Sequence, residues 1–350
     1  MNASIEGITA LPYAHGGPPV MGRIRVEPGD FRVDEELGFE PTGAGEHALL
    51  FVEKIEANTE WVAKRLAEKA GVAPMAIGYA GLKDRHAITR QSFSVHLPGK
   101  ADPDWSALAI PGVRVLAASR HDRKLKRGAH RGNRFRIRVR DVEGDREAVE
   151  RRLALIRERG VPNYFGEQRF GRDAGNIAQA RAYFAGRRLH KHEIGFALSA
   201  ARSLLFNAVL ATRVADDSWD SALDGDVWML AGTHSIFGPE PWTVDLARRL
   251  AAFDIDPTGP LLGAGELRTT GLVRAIEEGA IAPYRDLADG LARAGLVQQR
   301  RALRLAVEGL AHEWESDGAL VVELRLPVGA FATVVLRELS GEAAAAAPGR

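Results

Sequence analysis

Residues 133–142, NRFRIRVRDV, constrain this chain more than any other stretch. Phe135, Ile137 and Val139 alternate with Arg134, Arg136, Arg138 and Arg140. A period of two puts the apolar side chains on one face of a strand and the guanidinium groups on the other, so the fold must hold a sheet with one covered face. Weaker versions of the pattern lie at 24–26 and 31–33, read as strands parted by the turn Glu27, Pro28, Gly29 and Asp30. Phe93, Val95 and Leu97 read as a half-buried strand. Between these, Val62, Leu66 and Ala70 have helical spacing, with Thr59 as the expected N-cap and Gly71 as the stop.

After Asp141 the pattern turns helical, at 147–159, 199–213 and 287–309, and strand signals thin out. They return at 320–326, followed by the turn Pro327, Val328, Gly329 and a helix over 330–339. Sheet, helices, then sheet again is the order of an α+β protein whose two chain ends share one sheet around an inserted helical domain. A chain of 350 residues is long enough for two domains. The end, SGEAAAAAPGR from 340, is low in complexity and expected to fray.

Composition removes several kinds of chemistry. With Cys at 0 there is no disulfide framework, no thiolate metal cluster and no cysteine nucleophile. No run is apolar enough for a membrane span, and the first residues, MNASIEGITALPYAHGGPP, lack a secretory pattern, so the expected location is the cytoplasm. Phosphate-loop, GxSxG and GxGxxG signatures are missing. His190, Lys191, His192 and Glu193, like His312 and Glu313, complete no HExxH pair and read as charged element ends rather than metal ligands. A net charge of +1 says little about nucleic acid, but its distribution does. Arg120, Arg123, Lys124, Lys126, Arg127 and Arg131 run into the arginines of 133–142, a local positive field suited to phosphates.

The segment GYAGLKDRHAITRQ, 78–91, places Asp84 between Lys83 and Arg85 in a glycine-bearing loop before a strand. Such a carboxylate can attack an electrophile, but on chemistry alone the solvated turn is the stronger reading. Phe135 likewise reads from its alternation alone as core.

GLKDRHAITRQ at 81–91 resembles the motif that bears the nucleophilic aspartate of TruD-type pseudouridine synthases. DFRVDEELGFEPTGAGEH at 30–47, GNRF at 132–135, GVPNYFGEQRFG at 160–171, LSAARSLLFN at 198–207 and LPVGAFATVVLREL at 326–339 resemble further blocks of that family in its order. The likeness runs from about His15 to about Leu339. It implies a pseudouridine-synthase catalytic domain, 1–160 with 306–350, holding a mixed, mainly antiparallel sheet, and an inserted, mostly helical domain at 161–305. It implies isomerisation of a uridine in tRNA, at position 13, by a monomer that needs no cofactor and no metal. Carried over residue by residue, Asp84 is the catalytic group, and Phe31, Asn133, Phe135 and Phe331 contact the substrate. Lys83 fits the motif, and Arg25 is the candidate base paired with Asp84. Asp84 would act at C1′ of the ribose or promote deprotonation at C2′. Arg134, Arg136, Arg138 and Arg140 would meet RNA phosphates, and GVPNYFGEQRFG would be structural. Two rivals stand beside this reading: a protein that binds or folds tRNA without catalysis, and a carboxylate-dependent glycosidase, for which no second acid stands out near Asp84.

Overall fold

The computed structural model describes residues 11–342, so the first ten residues of the leader reading and most of the expected C-terminal tail lie outside the described residues. Contacts divide the chain into two compact units. Among the described residues, one comprises 20–146, 307–329 and 340–342; the other comprises 11–19, 147–306 and 330–339. The expected boundaries assigned 11–19, 147–160, 306 and 330–339 to the sheet domain instead. The ends of the expected insertion do meet, since Val161 is the register partner of Leu305.

The sheet unit holds β1 (Val20–Arg23), β2 (Phe31–Glu36), β3 (His47–Ile55), helix α1 (Thr59–Ala70), β4 (Ile77–Tyr79), β5 (Ile88–His96), β6 (Val113–His121) and β7 (Gly132–Gly144). Strands Glu308–Trp314, Leu320–Pro327 and Ser340–Glu342 complete a ten-stranded sheet. Its spine runs Glu308–Trp314, Leu320–Pro327, β7, β2, β5, β3, β6. β2 with β5, and β1 with Ser340–Glu342, are parallel, and the other pairs are antiparallel. This is the mixed, mainly antiparallel sheet of the α+β expectation.

Register fixes what each face carries. Phe31 pairs with Ile137, Val33 with Phe135 and Glu35 with Asn133, while Lys54 pairs with Thr89, Val52 with Gln91 and Leu50 with Phe93. These side chains share the covered face, where α1 buries Val62, Ala63, Leu66 and Ala67 against Leu50, Val52, Phe93 and Val95. At roughly 1.5–3 kcal/mol per large apolar side chain, this cluster is a main source of the unit's stability. Gly71 ends α1 in the left-handed region at φ 59°. Gly132 is required where β7 meets Leu320–Pro327, because a Cβ there would lie 2.6 Å from the Leu326 carbonyl oxygen.

Several expectations change. The strand placed at 24–26 is instead β1, ending at Arg23, because Arg25 turns to φ 57°, outside any strand geometry. Asn58, not Thr59, is the N-cap of α1, and the Thr59 hydroxyl donates to Gln91 Oε1 at 2.9 Å. β5 is buried on both faces rather than half-buried, since Ser92 and Ser94 are as covered as Phe93 and Val95. Residues 340–342 do not fray: Val20 and Met21 pair with Ser340 and Gly341.

In the other unit, helix Lys191–Ala215 runs through the core with Ala200, Leu204, Leu205 and Phe206 fully covered. It is long and apolar enough to span a membrane by composition, but more than half of its apolar window is packed inside the unit. His190 caps it as expected of a charged helix end, its N–H donating to the Glu193 carboxylate at 2.8 Å. A four-stranded sheet, Ile236–Phe237, Trp228–Leu230, Ile255–Leu261, Gln299–Ala302, packs with these helices. The helical reading over 287–309 is therefore corrected: helix Arg285–Arg293 stops before Gly295 at φ 80°, and the chain goes on as strand. Ile255–Leu261 is hidden in sequence because IDPTGPL carries two prolines and a glycine, residues that argue against a central strand.

Candidate active site

The loop from Ala80 to Ala87 joins β4 to β5 over the covered face of the sheet, and a polar web fixes it there. Gln91 Nε2 donates to the Gly81 carbonyl at 3.2 Å, and the Lys83 N–H donates to Thr59 Oγ1 at 3.0 Å. The Lys83 ammonium turns inward to Glu35 Oε2 at 2.8 Å and to Asn133 Oδ1 at 2.7 Å. Glu35 has a fully buried side chain, and its other oxygen accepts from the Ser92 N–H at 3.1 Å.

Asp84 faces the other way. Its Oδ2 accepts from the Arg25 guanidinium at 2.7 Å and its Oδ1 from the His86 N–H at 3.1 Å. With side chains 26% and 23% exposed, Asp84 and Arg25 stay within reach of a ligand. Arg25 holds its left-handed backbone at an ordinary cost of about 1–3 kcal/mol. The Asp84 contact and the Phe31 ring, 4.3 Å below its guanidinium, offset that cost. Phe31 meets Phe135 edge to face at 6.1 Å. Both rings are nearly buried, at 4% and 7% exposure.

Asp84, Arg25, Lys83, Asn133, Phe31 and Phe135 thus belong to one cluster within the sheet unit. Phe331 lies in the other unit, edge-on to Phe165 at 6.3 Å. The arginine row lies on the opposite face of the sheet from Asn133 and Phe135. Each member there meets carboxylates: Arg134 and Arg136 meet Glu323, Arg138 meets Glu315 and Asp317, and Arg140 meets Asp30 and Glu27. A neutralised ladder gives a far weaker phosphate field than the sequence suggested.

Lys54 was missed from sequence. It is fully buried, and its ammonium donates to the Asp84 carbonyl oxygen at 2.9 Å. Burial pushes it down to about 8 from the ordinary 10.5, although the Asp84 carboxylate pulls it up. The unfolded chain holds this proton to a higher pH than the folded one, so between pH 8 and 10.5 stability gains from Lys54 as pH rises. Lys54→Met should abolish that upward increment, measured as urea midpoints across this range; parallel curves for variant and parent would refute it. Glu35 and Lys54 did leave a signal: each sits in phase with the apolar residues of its strand, Glu35 with Phe31 and Val33, Lys54 with Leu50 and Val52. A charged residue on a covered face needs a partner.

The sequence profile of the family described as tRNA pseudouridine synthase D (TruD) matches residues 8–180 and 181–339. A protein of Xanthomonas axonopodis pv. citri named tRNA pseudouridine synthase D is 51% identical over 346 residues, covering 94% of each chain. One of the same name from Methylococcus capsulatus is 51% identical over 335 residues, covering 95% of each. Among solved structures, a putative tRNA pseudouridine synthase D from Methanosarcina mazei matches with a TM-score of 0.71 at 22% identity, over 95% of this chain and 96% of that one. That last likeness speaks for the fold.

Proposed function

The chain belongs to the TruD family of tRNA pseudouridine synthases, and from that membership we propose that it isomerises uridine to pseudouridine in tRNA, at position 13 of the D arm, with Asp84 opening the glycosidic bond. The observation that carries the reading is Asp84 itself. It is a carboxylate with both oxygens oriented by donors and still open to solvent, on a loop anchored by buried polar contacts. Preorganised groups of this kind suit covalent or base catalysis.

The base must leave its stack, which costs roughly a few kcal/mol. Stacking on aromatic rings, about 1–3 kcal/mol per base, and hydrogen bonds to the base edge offset this. Phe31 and Phe135 are the rings of the Asp84 cluster; being nearly buried in the free protein, they need local rearrangement to present a face to the base. Phe331 serves as a further RNA-contacting aromatic. Asn133 has its carbonyl oxygen occupied by Lys83 and its amide NH2 left to donate to a pyrimidine oxygen. Asp84 then acts at C1′ or takes the C2′ proton as the C1′–N1 bond breaks. The freed uracil rotates and rejoins through C5; as the C1′–C5 bond forms, the Asp84–C1′ bond breaks or the C2′ proton returns, C5 releases its proton to water and N1 takes one up. Substrate and product have the same atoms, so nothing is consumed.

The test is incubation of the purified chain with an unmodified tRNA transcript bearing uridine 13, followed by carbodiimide labelling and primer extension. A single stop at that nucleotide is expected. A stop elsewhere keeps the isomerase and moves its site, and binding without any stop favours the non-catalytic reading.

A further inference from the structure

The block GVPNYFGEQRFG, unused in the reaction above, places Arg169 against the Phe165 ring, which Arg301 also approaches. Arg169 is half-buried, makes no ion pair or side-chain hydrogen bond among the described residues, and keeps its Nε covered and without a partner. Burial holds its guanidinium below the usual range. It lies 5.1 Å from the centre of the Phe165 ring and 6.0 Å from that of Phe331. Arg301 approaches the same Phe165 ring at 4.3 Å, held by Asn163 Oδ1 at 2.5 Å. Burial, and then the charge of Arg169, push Arg301 down to about 10. Two guanidiniums set around one ring, one of them with a donor fork that no described residue fills, form an arrangement that an incoming anion completes.

We propose that Arg169, backed by Arg301, binds a backbone phosphate of the RNA substrate beside the Phe331 ring. This builds on the RNA-directed reading above. The planar fork of Arg169 matches two phosphate oxygens, and the rings next to it suit the nucleoside attached to that phosphate. The block is then more than a structural start to the helical region.

Binding of an unmodified tRNA transcript to the parent and to Arg169→Gln across a salt series tests this, with thermal midpoints of both free proteins. The variant should bind about tenfold more weakly, with a slope of log affinity against log salt smaller by about one. Its thermal midpoint should stay level or rise, since a buried donor without a partner is removed. An unchanged slope overturns the proposal, as does a lowered midpoint with unchanged affinity, which marks a structural arginine. If Arg169→Gln fails to fold, phenylglyoxal labelling of the parent decides: Arg169 should be shielded by tRNA, and equal labelling with and without tRNA overturns the proposal. A parent that neither binds nor modifies tRNA removes the RNA-directed reading together with this one. A parent that does both, while Arg169→Gln behaves identically, removes only the phosphate site.

Discussion

Asp84→Asn should lower pseudouridine formation by roughly 10⁴-fold or more while tRNA affinity stays within a few-fold, the pattern of a group needed for the chemical step and not for holding the substrate. Asparagine keeps the shape, and its single oxygen can still accept from the His86 N–H, so the loop should hold its course although the NH2 in place of the second oxygen no longer accepts from Arg25. What disappears is the negative oxygen that the proposed reaction brings to C1′ or the C2′ proton. The variant also leaves the Arg25 charge without its counter-ion. With about a quarter of each side chain open to water, that loss should cost about 1 kcal/mol rather than the larger penalty of a fully buried pair. Single-turnover assays with thermal melts separate the effects. Turnover retained within tenfold would remove Asp84 from the reaction, and a large drop in melting temperature would make it a structural residue instead.

The sequence carried the outer parts of this arrangement and missed its interior for identifiable reasons. Alternation at 133–142 identified β7 and assigned its faces, which is why Asn133 and Phe135 share one side with Glu35 and Phe31. The motif around Asp84 located the loop. Ion pairs between strands distant in sequence left no local trace, so the arginine row read as a free positive surface although its carboxylates wait at Glu315, Asp317 and Glu323, far along the chain. Arg25 read as strand because its turn at φ 57° comes from tertiary contacts with Asp84 and Phe31, not from local propensity. The strand Ile255–Leu261 was lost for the opposite reason: its prolines and glycine speak against strand locally, and pairing on both sides overrides them.

Lys83→Met should be the most destabilising change in the cluster around Asp84, because it strips the only ammonium within ion-pair distance, among the described residues, from a carboxylate with no exposed side-chain surface. Breaking a buried pair by removing one partner costs about 3–5 kcal/mol, a large part of the roughly 5–15 kcal/mol that holds a protein folded. The remaining donor to Glu35, the Ser92 N–H at 3.1 Å, cannot replace a full charge. Adding Glu35→Gln should restore most of the loss, since the amide still accepts from Ser92 and removes the unpaired buried carboxylate; chemical denaturation of both single variants and the double one gives the coupling. Activity should not return with stability. Lys83 also holds Asn133 Oδ1 at 2.7 Å and sits next to Asp84 in the chain, so the refolded double variant still lacks the tie between the Asp84 loop and β7. A displacement of about 1 Å at the reacting groups is enough for roughly a 10²-fold loss of turnover. Restored stability with restored turnover would reduce Lys83 to a charge partner for Glu35. Unrestored stability would mean that the pair is not what holds the loop, and the anchoring would then fall to Gln91 and Thr59.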